Sequence, residues 1–297
     1  MIAVLGSINM DLVLRVPRFP APSETLAGSH VATYCGGKGA NQAVAAARLG
    51  ADVRLFGKVG DDAFGARLLA ELRDSKVNVE AVEREPDCAS GLASIWVNAD
   101  GENAIALAAG ANARVDGVYL DHHMNAISSA DFLLLQLEIP ITTIAEALRR
   151  LPDGGPVVIL DPAPAQDLSQ LPLNCIDILT PNAQELKLTS GSESVEEGAF
   201  KLLDQGVKNV ICTLGERGAV WFSSDGTMAH FSAPDVEVVD TTAAGDAFNG
   251  ALACALQTRS LEDAIAQAVI AGALAATKPG AQASLPDPQD MKTLSSF

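Results

Sequence analysis

The stretch "ADFLLLQLEIPITTIAEALRRLPDGGPVVILDPAP", residues 130–164, carries the patterns that decide the fold. Its first run is apolar without a break from Phe132 to Leu135, as in a strand buried on both faces. "TTIAEALRRL" then spaces its apolar residues as a helix does, and "PVVILDPAP" returns to a continuous run closed by prolines. Strand, helix and strand in that order make a βαβ unit. The alternation extends in both directions. Upstream lie "IAVLGS", "GANQAVAAARLG", "DVRLFGKVG" and "DAFGARLLAELRDS"; downstream lie "DILTPN", "AQELKLT", "EEGAFKLLDQG", "NVICTLG" and two C-terminal helical patterns. The expectation is an α/β protein, a three-layer αβα arrangement around a doubly wound, mostly parallel sheet.

Two stretches interrupt the rhythm. Residues 12–35 hold short β-like pieces punctuated by proline, and 91–108 read as two strands joined at Asp100-Gly101, a hairpin signal. Both are too small to fold alone. They are expected to form one small β layer, a lid on a single catalytic domain spanning 1–297, whose outer face is a candidate dimer contact.

The 297 residues carry a net charge of -17, which disfavours nonspecific contact with nucleic acid or an anionic membrane. No apolar run reaches the ~20 residues of a membrane helix. The N-terminal "MIAVLGSINMD" reads as a strand and not as a leader, and the five cysteines have no framework spacing. A cytoplasmic protein with reduced thiols is the expectation. The pair in "DHHMN" has no metal-ligand spacing and reads as a solvated loop or helix start.

In open parallel sheets ligands bind at the carboxyl ends of the strands. The residues there are polar: Asn9 and Asp11, Glu138, Asp161, Asn182 and Glu185, Thr213 and Gly215, Asp240 and Asp246. No GxxxxGK[ST] occurs and the first strand ends in "GSINMD", so neither a Walker loop nor a dinucleotide fingerprint is present. "CGGKGANQAVAAARLG" (35–50) places glycines around Lys38, which lets backbone approach a small polar ligand; Asn41 near a helix cap and Gly50 as a stop is the structural alternative. Asn182 and Glu185 have capping-box spacing, and Asp61 and Asp62 suit a helix cap. "VVDTTAAGDAFNGALACAL" (238–256) reads as a strand ending at Asp240, a turn nearly free of side chains and a helix. Small residues at a helix N-terminus leave N–H groups open to an anion, and Asp246 beside them is either a cap or a proton acceptor for phosphoryl transfer.

Taken together, "GSINMD", "GGKGANQAVAAARLG", "GDDAFG", "DGENAI", "QLE", "DPAPA", "TPNAQE", "TLGERG", "DTTAAGDAFNGAL" and "KPGAQAS" resemble, in order and over nearly the whole chain, the ribokinase-like (PfkB) carbohydrate kinases. The resemblance implies ATP-dependent phosphorylation of the 5-hydroxyl of D-ribose, or of another sugar or nucleoside. A sugar-binding sensor without catalysis is the lower-ranked alternative. It implies that Asn9, Asp11, Gly37, Lys38, Asn41 and Glu138 hold the sugar, that Asp246 is the base, and that Ala243, Ala244 and Gly245 form an anion hole. Asn182 and Glu185 match positions serving the ATP phosphates and Mg²⁺, and Thr213, Gly215 and Gly218 the nucleotide loop. Asp240, Thr242, Gly280 and Ser284 match a K⁺ site. The resemblance also implies a homodimer formed through the β lid. Asp161 stands where this family commonly has Asn.

Overall fold

In a computed structural model, which describes residues 1–294, the elements follow one another as strands and helices in near-regular alternation. They are β1 (Ile2–Leu5), β2 (Asn9–Arg15), β3 (His30–Gly36), α1 (Lys38–Arg48), β4 (Val53–Gly60), α2 (Ala63–Asp74), β5 (Val82–Glu85), β6 (Gly91–Val97), β7 (Asn103–Ala108) and α3 (Gly117–Ser128). The second half holds β8 (Phe132–Leu135), α4 (Ile141–Arg150), β9 (Val157–Leu160), β10 (Ile178–Leu179), α5 (Ala183–Ser190), α6 (Val195–Asp204), β11 (Asn209–Thr213), β12 (Ala219–Ser223) and β13 (Met228–Phe231). Four helices close the chain: α7 (Ala244–Leu256), α8 (Leu261–Ala275), α9 (Ala281–Ser284) and α10 (Pro288–Leu294).

A nine-stranded sheet runs β13-β12-β11-β10-β9-β8-β1-β4-β5 and is parallel from β11 to β5, with β12 and β13 antiparallel at one edge. The strand period of two divides its core. Ile2 and Val4 join α1, α2, α7 and α8 on one face, while Ala3 and Leu5 join α3, α4, α5 and α6 on the other. This is the three-layer α/β arrangement that the continuous apolar runs predict. Burial on both faces explains why β1 and β8 contain no polar residue. The strand order reverses at β1, which lies between β8 and β4, so the crevice beyond the carboxyl ends of β1 and β8 is the switch point where open sheets bind ligands.

A second sheet, β3-β2-β6-β7, stands apart. The two irregular stretches do supply it, but its first strand begins at Asn9 rather than at residue 12. Asn9 and Asp11 therefore belong to the small sheet, with Asn9 opposite Gly36 and Asp11 opposite Tyr34. Gly101, at the expected hairpin, has φ +83°, and Asn98 Oδ1 accepts from the amides of Asp100 and Glu102.

Two local expectations are corrected. No strand leads into Asp240: the amides of Val239 and Asp240 both donate to the Ala276 carbonyl at the end of α8, so the segment is held by a helix end and not by a sheet edge. His122 and His123 lie inside α3, where His123 packs against Tyr119 and Phe56 and its Nε2 pairs with Glu83 at 3.1 Å. Gly37 is the N-cap of α1, and Asn41, near it and one turn inside, has its side chain engaged elsewhere. Asp62 does cap α2, accepting from the Gly65 amide at 2.7 Å, and all five cysteines are free thiols. Among the described residues no helix is long and apolar enough to cross a membrane.

Candidate active site

One wall of the site stands at the switch point. The chain leaves β1 through Gly6 and Ser7 and enters β2 at Asn9; it leaves β8 through Gln136 and reaches Glu138. These two exits meet on one carboxylate oxygen. Glu138 Oε2 accepts from Ser7 Oγ at 2.6 Å, from Asn9 Nδ2 at 3.2 Å and from the Lys38 amide at 3.2 Å. Asn9 Oδ1 in turn accepts from Asn112 Nδ2 at 2.7 Å, which fixes the orientation of the Asn9 amide. Gly37 makes the turn into α1 with φ +90°, and a Cβ there would lie 2.7 Å from the Asn9 amide nitrogen. Only glycine permits both the dihedral and the approach.

Asp11 is the free carboxylate of this wall: its side chain has no hydrogen-bond partner among the described residues. Burial, with the charges of Glu138 and Asp246 added, pushes it up to about 7. An unpartnered, partly buried acid is a ready acceptor for ligand hydroxyls.

Asp246 stands at the centre. It lies in the first turn of α7 and is only 5% exposed. It caps nothing. Its Oδ2 accepts from Asn41 Nδ2 at 2.9 Å and its Oδ1 from Gln42 Nε2 at 3.2 Å, so α1 clamps both oxygens. Burial raises its proton affinity, while Lys38 and the two amides oppose that. Lys38 is held above its ordinary value: burial works against its charge, but Asp161, Asp246, Glu138 and Glu185 together outweigh it. Asn41 Oδ1 is buried with no partner among the described residues, an acceptor left over once Nδ2 has bonded the acid.

The other wall is made mostly of small and apolar residues, with Glu216, Arg217 and Asp235 as its charged side chains. A cavity of about 570 Å³ is lined by Thr213, Gly215 and Gly218 on one side and by Ala244, Gly245, Phe248, Val269 and Gly272 on the other. Thr213 ends β11, and Gly215 and Gly218, with φ +62° and +86°, form the turn after it. Ala243, the N-cap of α7, is itself left-handed with φ 60°, a conformation that costs a non-glycine residue about 1–2 kcal/mol. Among the described residues the amides of Gly245 and Asp246 have no partner, as first-turn amides commonly lack one, and a Cβ at Gly245 would meet nothing within 4 Å. The Ala244 amide, in contrast, already donates to the Thr241 carbonyl at 3.2 Å. Of the three residues expected to form the anion hole, Ala244 therefore contributes shape and not a free donor.

Asn182 and Glu185 form the full capping box of α5, each accepting from the other's amide at 2.8 Å. An isolated bridge pairs Asn182 with Thr213, which brings the box to the wall that holds Thr213. Among the described residues Glu185 Oε1 has no hydrogen-bond partner, and a half-buried carboxylate oxygen suits a hard divalent cation. At the foot of α7, Asp240 joins two segments: Oδ1 accepts from the Thr242 amide and hydroxyl, and Oδ2 from the Gly280 amide at 2.9 Å. Ser284 Oγ, fully buried, donates to the Ala281 carbonyl at 2.8 Å and keeps its lone pairs. Asp240 thus joins Thr242 to Gly280, with Ser284 a helical turn beyond Gly280, and their oxygens are a donor set that fits a hard monovalent cation.

The sequence reading missed Gln42, Gln136 and Asn249. Gln42 clamps the central acid, Gln136 Nε2 donates to Gln42 Oε1 at 2.6 Å, and Asn249 Nδ2 donates to the Gly245 carbonyl at 2.9 Å.

Similarity to known proteins extends over nearly the whole chain. A model described as "pfkB family carbohydrate kinase" matches residues 1–288. A ribokinase of Haemophilus influenzae is 39% identical over 97% of this chain and 96% of its own. A deoxyribokinase of Salmonella typhi is 37% identical over 96% of this chain and 95% of its own. The structure of Arabidopsis thaliana ribokinase complexed with ribose and ATP superposes with a TM-score of 0.91 at 32% identity, covering 100% of this chain and 98% of that one.

Proposed function

The chain belongs to the pfkB family of carbohydrate kinases, and from that premise we propose that it transfers the γ-phosphoryl group of ATP to the 5-hydroxyl of D-ribose. The observation that carries this reading is the position of Asp246. Its carboxylate is clamped from the Glu138 side by Asn41 and Gln42, while the residue before it, Gly245, lines the 570 Å³ cavity. A base in that place touches both substrates.

Asn9, Asp11, Lys38, Asn41 and Glu138 hold the sugar, and Gly37 admits it close to the backbone. Acceptors predominate, which suits a polyol. Asp246 takes the hydroxyl proton; the freed oxygen bonds to phosphorus as the bond to the ADP oxygen breaks. The unpartnered amides of Gly245 and Asp246 accept the charge that spreads over the moving phosphoryl group. The nucleotide lies along Thr213, Gly215 and Gly218. Mg²⁺, held near Asn182 and Glu185, would neutralise phosphate charge. K⁺ on the oxygens of Asp240, Thr242, Gly280 and Ser284 would order the turn into α7.

The small sheet is the lid over the sugar, and a second copy of this chain is the partner for its outer face. Val31 and Ile105, on its two edge strands, are 59% and 60% exposed, and every residue of β7 is exposed. The similarity to a deoxyribokinase favours a second reading, in which the sugar lacks the 2-hydroxyl. Coupled ADP release over a panel of pentoses, deoxyribose, hexoses and nucleosides, with and without K⁺, separates the two. Ribose is expected to give the highest kcat/KM, with activation by K⁺; preference for deoxyribose or a nucleoside would overturn the substrate assignment.

A further inference from the structure

Asp161, at the carboxyl end of β9, has no part in the mechanism above, yet it is as buried as the base at 5% exposure. Its Oδ2 accepts from Gln42 Nε2 at 2.9 Å, and the same nitrogen donates to Asp246 Oδ1 at 3.2 Å. One amide group therefore bridges two buried carboxyls. The orientation of that amide is determined. Gln136 Nε2 donates to Gln42 Oε1 at 2.6 Å, so the oxygen of Gln42 is engaged on the far side and both of its hydrogens are turned to the acids.

The donors are unequally divided. Asp246 receives two amide donors, from Asn41 and Gln42. Asp161 receives the Gln42 amide alone, with Lys38 Nζ at 4.0 Å. Two like charges so close, in so dry a place, do not both ionise readily. The carboxyl with more donors keeps the charge, and the other keeps the proton.

We infer that Asp161 is a positioning residue for the transfer step: Asp161 and Asp246 share one proton across the Gln42 amide, Asp161 holding it, so that Asp246 stands as the anion. This rests on reading Asp246 as the base. The charged groups facing Asp161 are Lys38 from α1, Asp246 from α7, Glu185 from α5 and Glu138 beyond β8. Burial, the largest influence, and the three acids hold the proton on; Lys38 alone opposes them, and Asp161 is pushed up to about 8. Through the working range Asp161 is then neutral, steadies Gln42 and adds no repulsion to the incoming phosphates.

The test is titration of carboxyl-labelled aspartate by carbon-13 NMR in the wild type and in Asp161→Asn. A shared proton requires the Asp246 signal to move in two steps in the wild type, the upper one near pH 8 where Asp161 ionises. In Asp161→Asn the upper step is expected to vanish, and with it the matching inflection in the pH dependence of kcat. A single step for Asp246 in the wild type, or an upper step that persists in the variant, would overturn the inference. The wild-type titration decides even if the variant folds poorly. Asp246→Asn keeps the two readings distinct: near-normal turnover in that variant would remove the base, whereas lost turnover with a one-step titration would remove only the shared proton.

Discussion

The two walls that meet at Asp246 are built by opposite means. On the sugar side, charged and amide side chains from β2, α1 and the loop after β8 bond to one another, and Glu138 alone gathers three donors. On the nucleotide side the lining is mostly Ala, Gly, Val and Thr, and its charged side chains, Glu216 and Arg217 in the turn after β11 and Asp235 beyond β13, lie away from the start of α7 in the chain. Side chains can count and place hydroxyls, which a sugar requires. A phosphate chain carries charge that any open amide can meet, so removing side chains serves better than adding them. Specificity should therefore reside in one wall and charge stabilisation in the other.

The largest expected effect is at their junction. Asp246→Asn should lower kcat about 10²–10⁴-fold, the cost of losing a general base, because Asp246 is the acceptor assigned to the reacting hydroxyl. Steady-state turnover with saturating ribose and ATP measures it.

Next come variants that act on one wall alone. Asp11→Ala removes an acceptor from the sugar side, and loss of a charged hydrogen bond worth about 1.5–3 kcal/mol should raise the sugar KM roughly 10- to 150-fold while leaving the KM for ATP near its wild-type value. Gly245→Val should do the reverse. A Cβ at Gly245 meets no protein atom within 4 Å, so the side chain extends into space and the fold should tolerate it. The KM for ATP should rise with the sugar KM little changed. If both variants moved both constants alike, the division of labour would be wrong.

Asp11 also makes a pH prediction. Its carboxyl ionises at 3.8 unfolded and about 7 folded, so the folded state binds its proton more tightly. The contribution to stability is full below the unfolded value and falls as pH rises from about 3.8 to about 7. Thermal unfolding across that window should show a smaller decline for Asp11→Asn than for the wild type. The smallest effect is outside both walls: Asp62→Ala removes the α2 cap and should cost about 1 kcal/mol of stability, with kcat unchanged.

The same contrast explains what was legible in the sequence. The runs at Phe132–Leu135 and Val157–Leu160 announced the main sheet, because strands buried on both faces have no polar residue to obscure the pattern. Val238 and Val239 gave a false strand. Both are exposed, and their segment is held by the end of α8, a tertiary contact with no local signature. The small sheet was recognisable, but its start was misplaced because β2 follows β1 after only three residues. Among site residues, acids and glycines at strand ends were readable. Gln42 and Gln136 were not, because their roles arise only where α1 meets the exit of β8. Nor could the sequence show that the Ala244 amide is already engaged.

The central claim, that one carboxylate stands between a side-chain wall and a backbone wall, is tested most directly by a crystal structure with ribose and a non-hydrolysable ATP analogue bound together. The account predicts the 5-hydroxyl hydrogen-bonded to Asp246 and the terminal phosphate against the amides of Gly245 and Asp246. A sugar hydroxyl engaged by another acid, or a terminal phosphate away from the start of α7, would contradict it.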